Sequence, residues 1–271
     1  MNINTETTPE KIEIVEKSDQ ITFDRGMIRA LMFRELLRLR GDTLRWIALL
    51  GQPIIFWLIL GKVFGTEWKV NGVNYAQYFF AGTLMIVILF TSIGTTMSLI
   101  EDRSSGFFQG VLIAPGRRFS LVLGKVFGVA TITLIQVGIV MFLAPYAGLS
   151  FNKLFSPFFI IFVVLNTITL TSMGFCVAWI VNSTQGYHSV MNVLFLPLWA
   201  LSGAIYPLKG GIIEAINKFN PMYYGVIGLR AALEKNTPFQ WDNFLYLLVL
   251  ALLLLTLATF LCFRIRRTVH E

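Results

Sequence analysis

The sequence predicts an all-α polytopic membrane protein: six transmembrane helices, an N-terminal interfacial helix, and re-entrant helices before the last span. Three observations carry that expectation. Of 271 residues, 55% are hydrophobic and 14% charged, against about 25% charged in average soluble chains. Six windows hold no Asp, Glu, Lys or Arg: Trp46–Gly61, Tyr78–Ile100, Val126–Asn152, Leu154–Tyr187, Ser189–Leu208 and Asn243–Phe263. A span needs about 20 mainly apolar residues, so each window suits one crossing. The basic residues, finally, alternate between the two sides those crossings define.

Taken in order, residues 1–24 read as a disordered cytoplasmic tail. Its first twenty residues hold five acids, two lysines and no apolar core, unlike a secretory signal. Residues 25–41 read as an interfacial helix. Ile28, Leu31, Met32 and Leu39 share one arc, interrupted by Glu35, and Arg29, Arg34 and Arg38 would reach anionic headgroups. Leu44 to Phe64 extends the short first window to a full span. Residues 101–118 form a cytoplasmic loop. The fourth and fifth spans divide at Asn182-Ser183-Thr184-Gln185-Gly186, a polar run that reads as a tight loop. Residues 207–242 are too polar and interrupted to span. Within them Asn220-Pro221 suits an N-cap and first turn, opening a short apolar helix that ends near Glu234. At roughly 10–14 residues it is re-entrant or interfacial. Residues 268–271 are a cytoplasmic tail.

The formal charge of +7 is a topology signal and not a nucleic-acid footprint. Thirteen Lys and Arg flank the first span, the second-to-third connection and the end of the last span; seven fall on the other side. That excess places both termini in the cytoplasm. Chemistry is sparse. There is no GxxxxGK[ST] nucleotide loop and no metal-ligand spacing, and Cys176 and Cys262 read as small hydrophobes within spans. Lys62, Lys125 and His188 sit near span ends, where snorkelling accounts for them, so no intramembrane ion relay is expected. A transporter with neither an ATP site nor a relay draws its energy from a partner.

The 101–118 loop offers a docking element. Phe108, Val111 and Leu112 share an i, i+3, i+4 face, so a short helix there would present an apolar knob, ended by Pro115-Gly116. Glu101, Asp102 and Arg103 ring its start as rim charges, with Gly106 and Phe107 leading into it. Such a knob fits a groove on a partner protein.

Four stretches resemble the membrane subunit of a type-2 ATP-binding-cassette exporter. Arg34-Glu35-Leu36 with Gln52-Pro53 and Phe64-Gly65 is similar to that family's start. Glu101-Asp102-Arg103, Gly106-Phe107, Leu112-Ile113-Ala114-Pro115 and Leu123-Gly124-Lys125 resemble its cytoplasmic loop. Leu201-Ser202-Gly203-Ala204-Ile205-Tyr206-Pro207 resembles the close of its fifth span, and Asn220-Pro221-Met222-Tyr223-Tyr224-Gly225 to Leu229-Arg230 its NP-x-x-Y-G…LR element. The order and spacing carry the resemblance over residues 25–267. Phe107-Phe108 depart from it, where relatives often carry polar or acidic residues. The daunorubicin-resistance and nodulation-exporter branch is nearest in flavour.

The resemblance implies a six-span subunit in the bacterial inner membrane that pairs as a homodimer and docks two P-loop ATPase subunits. This chain would bind no cofactor; ATP and magnesium would be used by the partner. Residues 101–118 would couple the ATPase to the spans, through Glu101, Asp102, Arg103, Gly106, Phe107, Phe108, Val111 and Leu112. Asn220, Pro221, Tyr224, Gly225 and Arg230 would belong to the re-entrant cap. A hydrophobic or amphipathic drug or lipid is the first substrate class, a polysaccharide or glycolipid the second, and an ion-coupled secondary transporter the reading from a different class. No substrate-binding residue stands out: Thr91, Thr95, Thr96, Gln136, Asn166, Thr167, Thr169 and Asn192 suit backbone bonding and helix packing better than a ligand.

Overall fold

The computed structural model describes residues 24–64, 68–70, 72–105, 118–207, 210–234 and 237–268. Helix α1 (Arg25–Arg40) is capped by Asp24, whose carboxylate accepts the Gly26 and Met27 N–H groups. One turn later α2 (Thr43–Phe64) begins, carrying Pro53 inside it. A hairpin of two-residue strands, β1 (Lys69–Val70) and β2 (Val73–Asn74), leads into α3 (Tyr75–Ser104). That hairpin is a small departure from the all-α expectation; Gly72, at φ 83°, supplies its turn.

At 30 residues α3 is about 45 Å long, and it is buried along nearly its whole length. It is the hub on which α2, α4 (Arg118–Met141), α5 (Pro157–Ile180) and later helices pack. The helix α10 (Trp241–Thr268) closes the bundle against α5. By contrast α2 and α10 turn many apolar side chains outward, among them Ile47, Val63, Val249 and Phe260. Among the described residues, five helices are long and apolar enough to cross a membrane: Trp46–Phe64, Tyr75–Ser104, Phe119–Met141, Pro157–Ile180 and Trp241–Cys262. The chain is a mostly helical, integral membrane protein.

Two boundaries differ from expectation for physical reasons. The third window predicts a span over Val126–Asn152, but α4 starts earlier and stops at Met141. Pro145 and Gly148, at φ 77°, convert its end into two 3-10 turns, Ala144–Ala147 and Phe151–Phe155. Its start is early because Lys125 lies inside the bundle and does not mark a membrane edge. Likewise Glu101–Ser104 form the last turn of α3 and are not part of a loop.

The expected fifth crossing is a composite. After α5, Ser183 caps α6 (Thr184–Val190) by accepting the Gly186 N–H at 3.0 Å, so the break is Val181–Ser183 and the rest of the polar run is helical. A π-helical turn (Met191–Phe195), α7 (Leu196–Trp199) and a second π turn (Ala200–Ala204) follow. Pro197 supplies no N–H, which favours a wider turn beside it. Gly203, at φ 77°, then ends the helix in a conformation that suits a residue without Cβ. Beyond it lie α8 (Ile212–Asn217) and α9 (Pro221–Leu233); Asn220 caps α9, and the helix ends before Glu234 as its sequence predicts.

Candidate functional site

Charge gathers where α3 ends and α4 begins. Arg34 of α1 grips Asp102 with both guanidinium nitrogens, Nη1 to Oδ2 at 2.9 Å and Nη2 to Oδ1 at 2.6 Å. This forked pairing is the strongest that an arginine makes with a carboxylate. Hydrogen bonding to Asp102 holds the Arg34 guanidinium above its ordinary pKa. Arg38 adds a bond to Asp102 at 3.3 Å and one to Glu101. From α4, Lys125 Nζ donates to Asp102 Oδ2 at 3.1 Å and Ser98 Oγ at 3.2 Å, and lies 3.2 Å from Glu35 Oε1. Glu35 and Asp102 are each 3% exposed and Lys125 is 1% exposed. Three acids thus meet three bases, a balance that makes such burial tolerable.

This arrangement corrects three expectations. Asp102 is not a rim charge but the centre of the cluster. Lys125 does not snorkel, because two carboxylates await it inside. Arg34 and Arg38 do not reach outward to headgroups, because Asp102 and Glu101 hold them; Arg29 is exposed. The interruption by Glu35 also acquires a reason. Ile28, Leu31, Glu35 and Leu39 form the buried face of α1, laid against α4. Gly124 and Gly128 let the helices touch: a Cβ on Gly124 would stand 2.9 Å from that of Leu31, and one on Gly128 3.1 Å from that of Glu35. Close approach is what brings Glu35 to Lys125.

Arg103 turns elsewhere. Its Nη1 donates to the Ala178 carbonyl at 3.0 Å and its Nη2 to Asn182 Oδ1 at 3.0 Å, so a cation caps the end of α5. Gly106, Phe107, Phe108, Val111 and Leu112 lie outside the described residues, as do residues 1–23 and 269–271 of the expected tails.

A second constellation occupies the opposite end of α3. The Gly203 carbonyl, at the end of the composite helix, accepts Tyr78 Oη at 2.9 Å and Arg230 Nη2 at 3.0 Å. Tyr75 Oη donates to the Ile205 carbonyl at 3.0 Å. Arg230 also lies 3.9 Å from the Tyr78 ring centre, a cation–π contact. Asn220 accepts the Met222 N–H at 3.0 Å and donates to the Leu198 carbonyl at 2.7 Å, so one side chain caps α9 and ties it to α7. Pro221 starts the helix, Gly225 admits the Asn166 side chain and Gly228 the Phe162 ring. Tyr224 stacks on Tyr246 at 3.8 Å between centroids. The 201–207 and 220–230 stretches therefore meet at one carbonyl, with Tyr75 and Tyr78 as partners that the sequence did not single out.

Between the two ends, several threonines of the spans bond to their own helices, and Thr91 and Thr96 also reach Gln136 and Tyr187 on neighbouring helices. Thr91, Thr95, Thr96, Thr167 and Thr169 each donate to the carbonyl four residues back, at 2.7–2.9 Å. None of these five offers a donor to a ligand.

A sequence profile of the ABC-2 type transporter family matches residues 27–233, which include both constellations. The chain belongs to the ABC-2 type transporter family. Its relatives agree. Over 226 residues it is 27% identical to the ycf38 protein of Cyanophora paradoxa, named as a transport permease, covering 79% of this chain and 77% of that one. It is 24% identical to ycf38 of Porphyra purpurea, covering 75% and 72%. The inner membrane transport permease YhhJ of Escherichia coli is 24% identical over 205 residues, 72% of this chain and 54% of that protein. The chain is thus a transmembrane permease of an ABC transporter.

Proposed function

We propose that this permease is the membrane half of an ATP-driven exporter. Two copies pair, two P-loop ATPase subunits dock on their cytoplasmic faces, and ATP and magnesium are used by those subunits. The observation that supports this most is the charge cluster at the neck of the 106–117 connection. Asp102 precedes the connection and Lys125 follows it; the two bond each other, Arg34 ties Asp102 to α1 and Glu35 ties Lys125 to it. Force applied to the connection would reach α1, α3 and α4 together, because their charges share bonds.

The composite segment 184–204, about 30 Å long at about 1.5 Å per residue, would be the sixth crossing of a core of about that thickness. An even count puts both termini on one side, and the basic excess makes that side the cytoplasm. The Gly203 constellation would then seal the outer end. Outward faces of α2 and α10 would meet the second copy and lipid. A hydrophobic or amphipathic drug or lipid-like substrate, as in the daunorubicin-resistance and nodulation-exporter branch, fits spans whose Thr91, Thr95, Thr96, Thr167 and Thr169 are already bonded to their own backbone.

Purification of the tagged full chain from its native membranes in mild detergent tests this reading. A P-loop ATPase should copurify in equal amount, with ATP hydrolysis by the complex. A lone chain that transports without nucleotide would overturn it.

A further inference from the structure

We infer that the face of α1 turned away from the bundle is a binding surface for anionic phospholipid. With Ile28, Leu31, Glu35 and Leu39 against α4, the opposite side carries Arg25, Arg29 and Arg40 beside Phe33 and Leu37. Phe33 is 59% and Leu37 50% exposed, although the helix is well packed on its other side. Both line an open groove of about 580 Å³ between α1 and the end of α3, whose polar side is Arg34, Arg38 and Asp102. Those inner charges are balanced within the cluster. What the surface presents outward is therefore Arg25, Arg29 and Arg40 next to two apolar side chains, with Asp24 and Asp42 at the helix ends leaving it net basic.

What lies beside that face decides the occupant. Helix α1 ends at Arg40 and the membrane helix α2 begins at Thr43, with Leu44 78% and Ile47 62% exposed at its start. The groove thus stands where the apolar surface of a span begins, at the level of headgroups and first acyl carbons. Arginines meet phosphate there, and Phe33 and Leu37 meet the acyl chain. An acidic protein surface would match the arginines but leave the apolar wall uncovered. The inference rests on α2 crossing the membrane and not on the substrate or the ATPase.

The test uses the full chain in neutral detergent, titrated with phosphatidylglycerol or phosphatidylcholine. Bound lipid is read by native mass spectrometry and stability by the thermal midpoint. Phosphatidylglycerol should bind more tightly and raise the midpoint further, with the difference shrinking at high salt. Each arginine near an anionic surface contributes enough that the Arg25→Gln, Arg29→Gln, Arg40→Gln triple variant should lose on the order of a hundredfold of that preference. Its phosphatidylcholine binding should be unchanged, which shows it folded. Equal binding of the two lipids by the unmodified chain would overturn the inference, without touching the ATPase partnership. So would a triple variant that keeps the lipid preference but sheds the ATPase, since the surface would then belong to a protein.

Discussion

Replacing Lys125 with methionine should cost the folded chain about 3–5 kcal/mol, the usual result of removing one member of a buried ion cluster. The loss comes from what is left behind. Glu35 and Asp102, each 3% exposed, would face each other's charge with their shared ammonium gone. Asp102 keeps two short bonds from Arg34, whereas Arg34 Nη1 stands 3.8 Å from Glu35, so the less compensated group is Glu35. Adding Glu35→Leu to Lys125→Met should therefore recover more than half of the loss, because an apolar pair of similar size replaces a buried charge pair at little cost. Thermal unfolding in detergent, with the two single variants and the double, reads the cycle. If Lys125→Met unfolds at the temperature of the unmodified chain, the cluster is not what holds α1 to α3 and α4.

At the other end of the bundle, Arg230→Met should cost about 2–4 kcal/mol. It removes a charged hydrogen bond to a buried carbonyl, worth about 1.5–3 kcal/mol, and a cation–π contact worth about 0.5–2 kcal/mol. Gly203 would retain Tyr78 Oη alone. Arg230→Lys should fall between, since an ammonium keeps the charge but cannot reach the carbonyl and cover the ring together. Loosening α9 should also expose the α8–α9 turn, so tryptic cleavage at the exposed Lys218 should quicken in Arg230→Met. Unchanged cleavage and unchanged stability would mean that the two motif stretches meet at Gly203 without holding one another.

How far the sequence carried these assignments differs between the two ends. Helix α9 was legible to the residue, because Asn220 and Pro221 are local signals that need no knowledge of neighbours. Five of the six long apolar windows overlap helices long enough to cross a membrane, for a similar reason, although the third was displaced by Lys125. The cluster was not legible as a cluster. Lys125, Glu35 and Asp102 come from three helices, and charge near the end of an apolar window ordinarily means a membrane edge. One signal was available: Glu35 breaks an otherwise apolar arc, and a break of that kind asks for a cation on the facing helix. Gly124 and Gly128, four apart, marked that facing helix as a close-contact surface. The composite helix escaped for a different reason. Its hydropathy resembles a plain span, whereas the π turns depend on Pro197 and on bonds from Asn220 and Trp199 to distant carbonyls.

Orientation joins the two halves of the account, since ATP is available on one side of the membrane only. The direct measurement is labelling of intact cells with a membrane-impermeant thiol reagent, on a chain with Cys176 and Cys262 replaced by alanine. Ile212→Cys, in the exposed start of α8, should be modified in intact cells. Ser105→Cys, at the end of α3 beside the charge cluster, should react only after the cells are opened. Labelling of Ser105→Cys from outside, with Ile212→Cys protected, would place the cluster away from any ATPase and contradict its role in coupling.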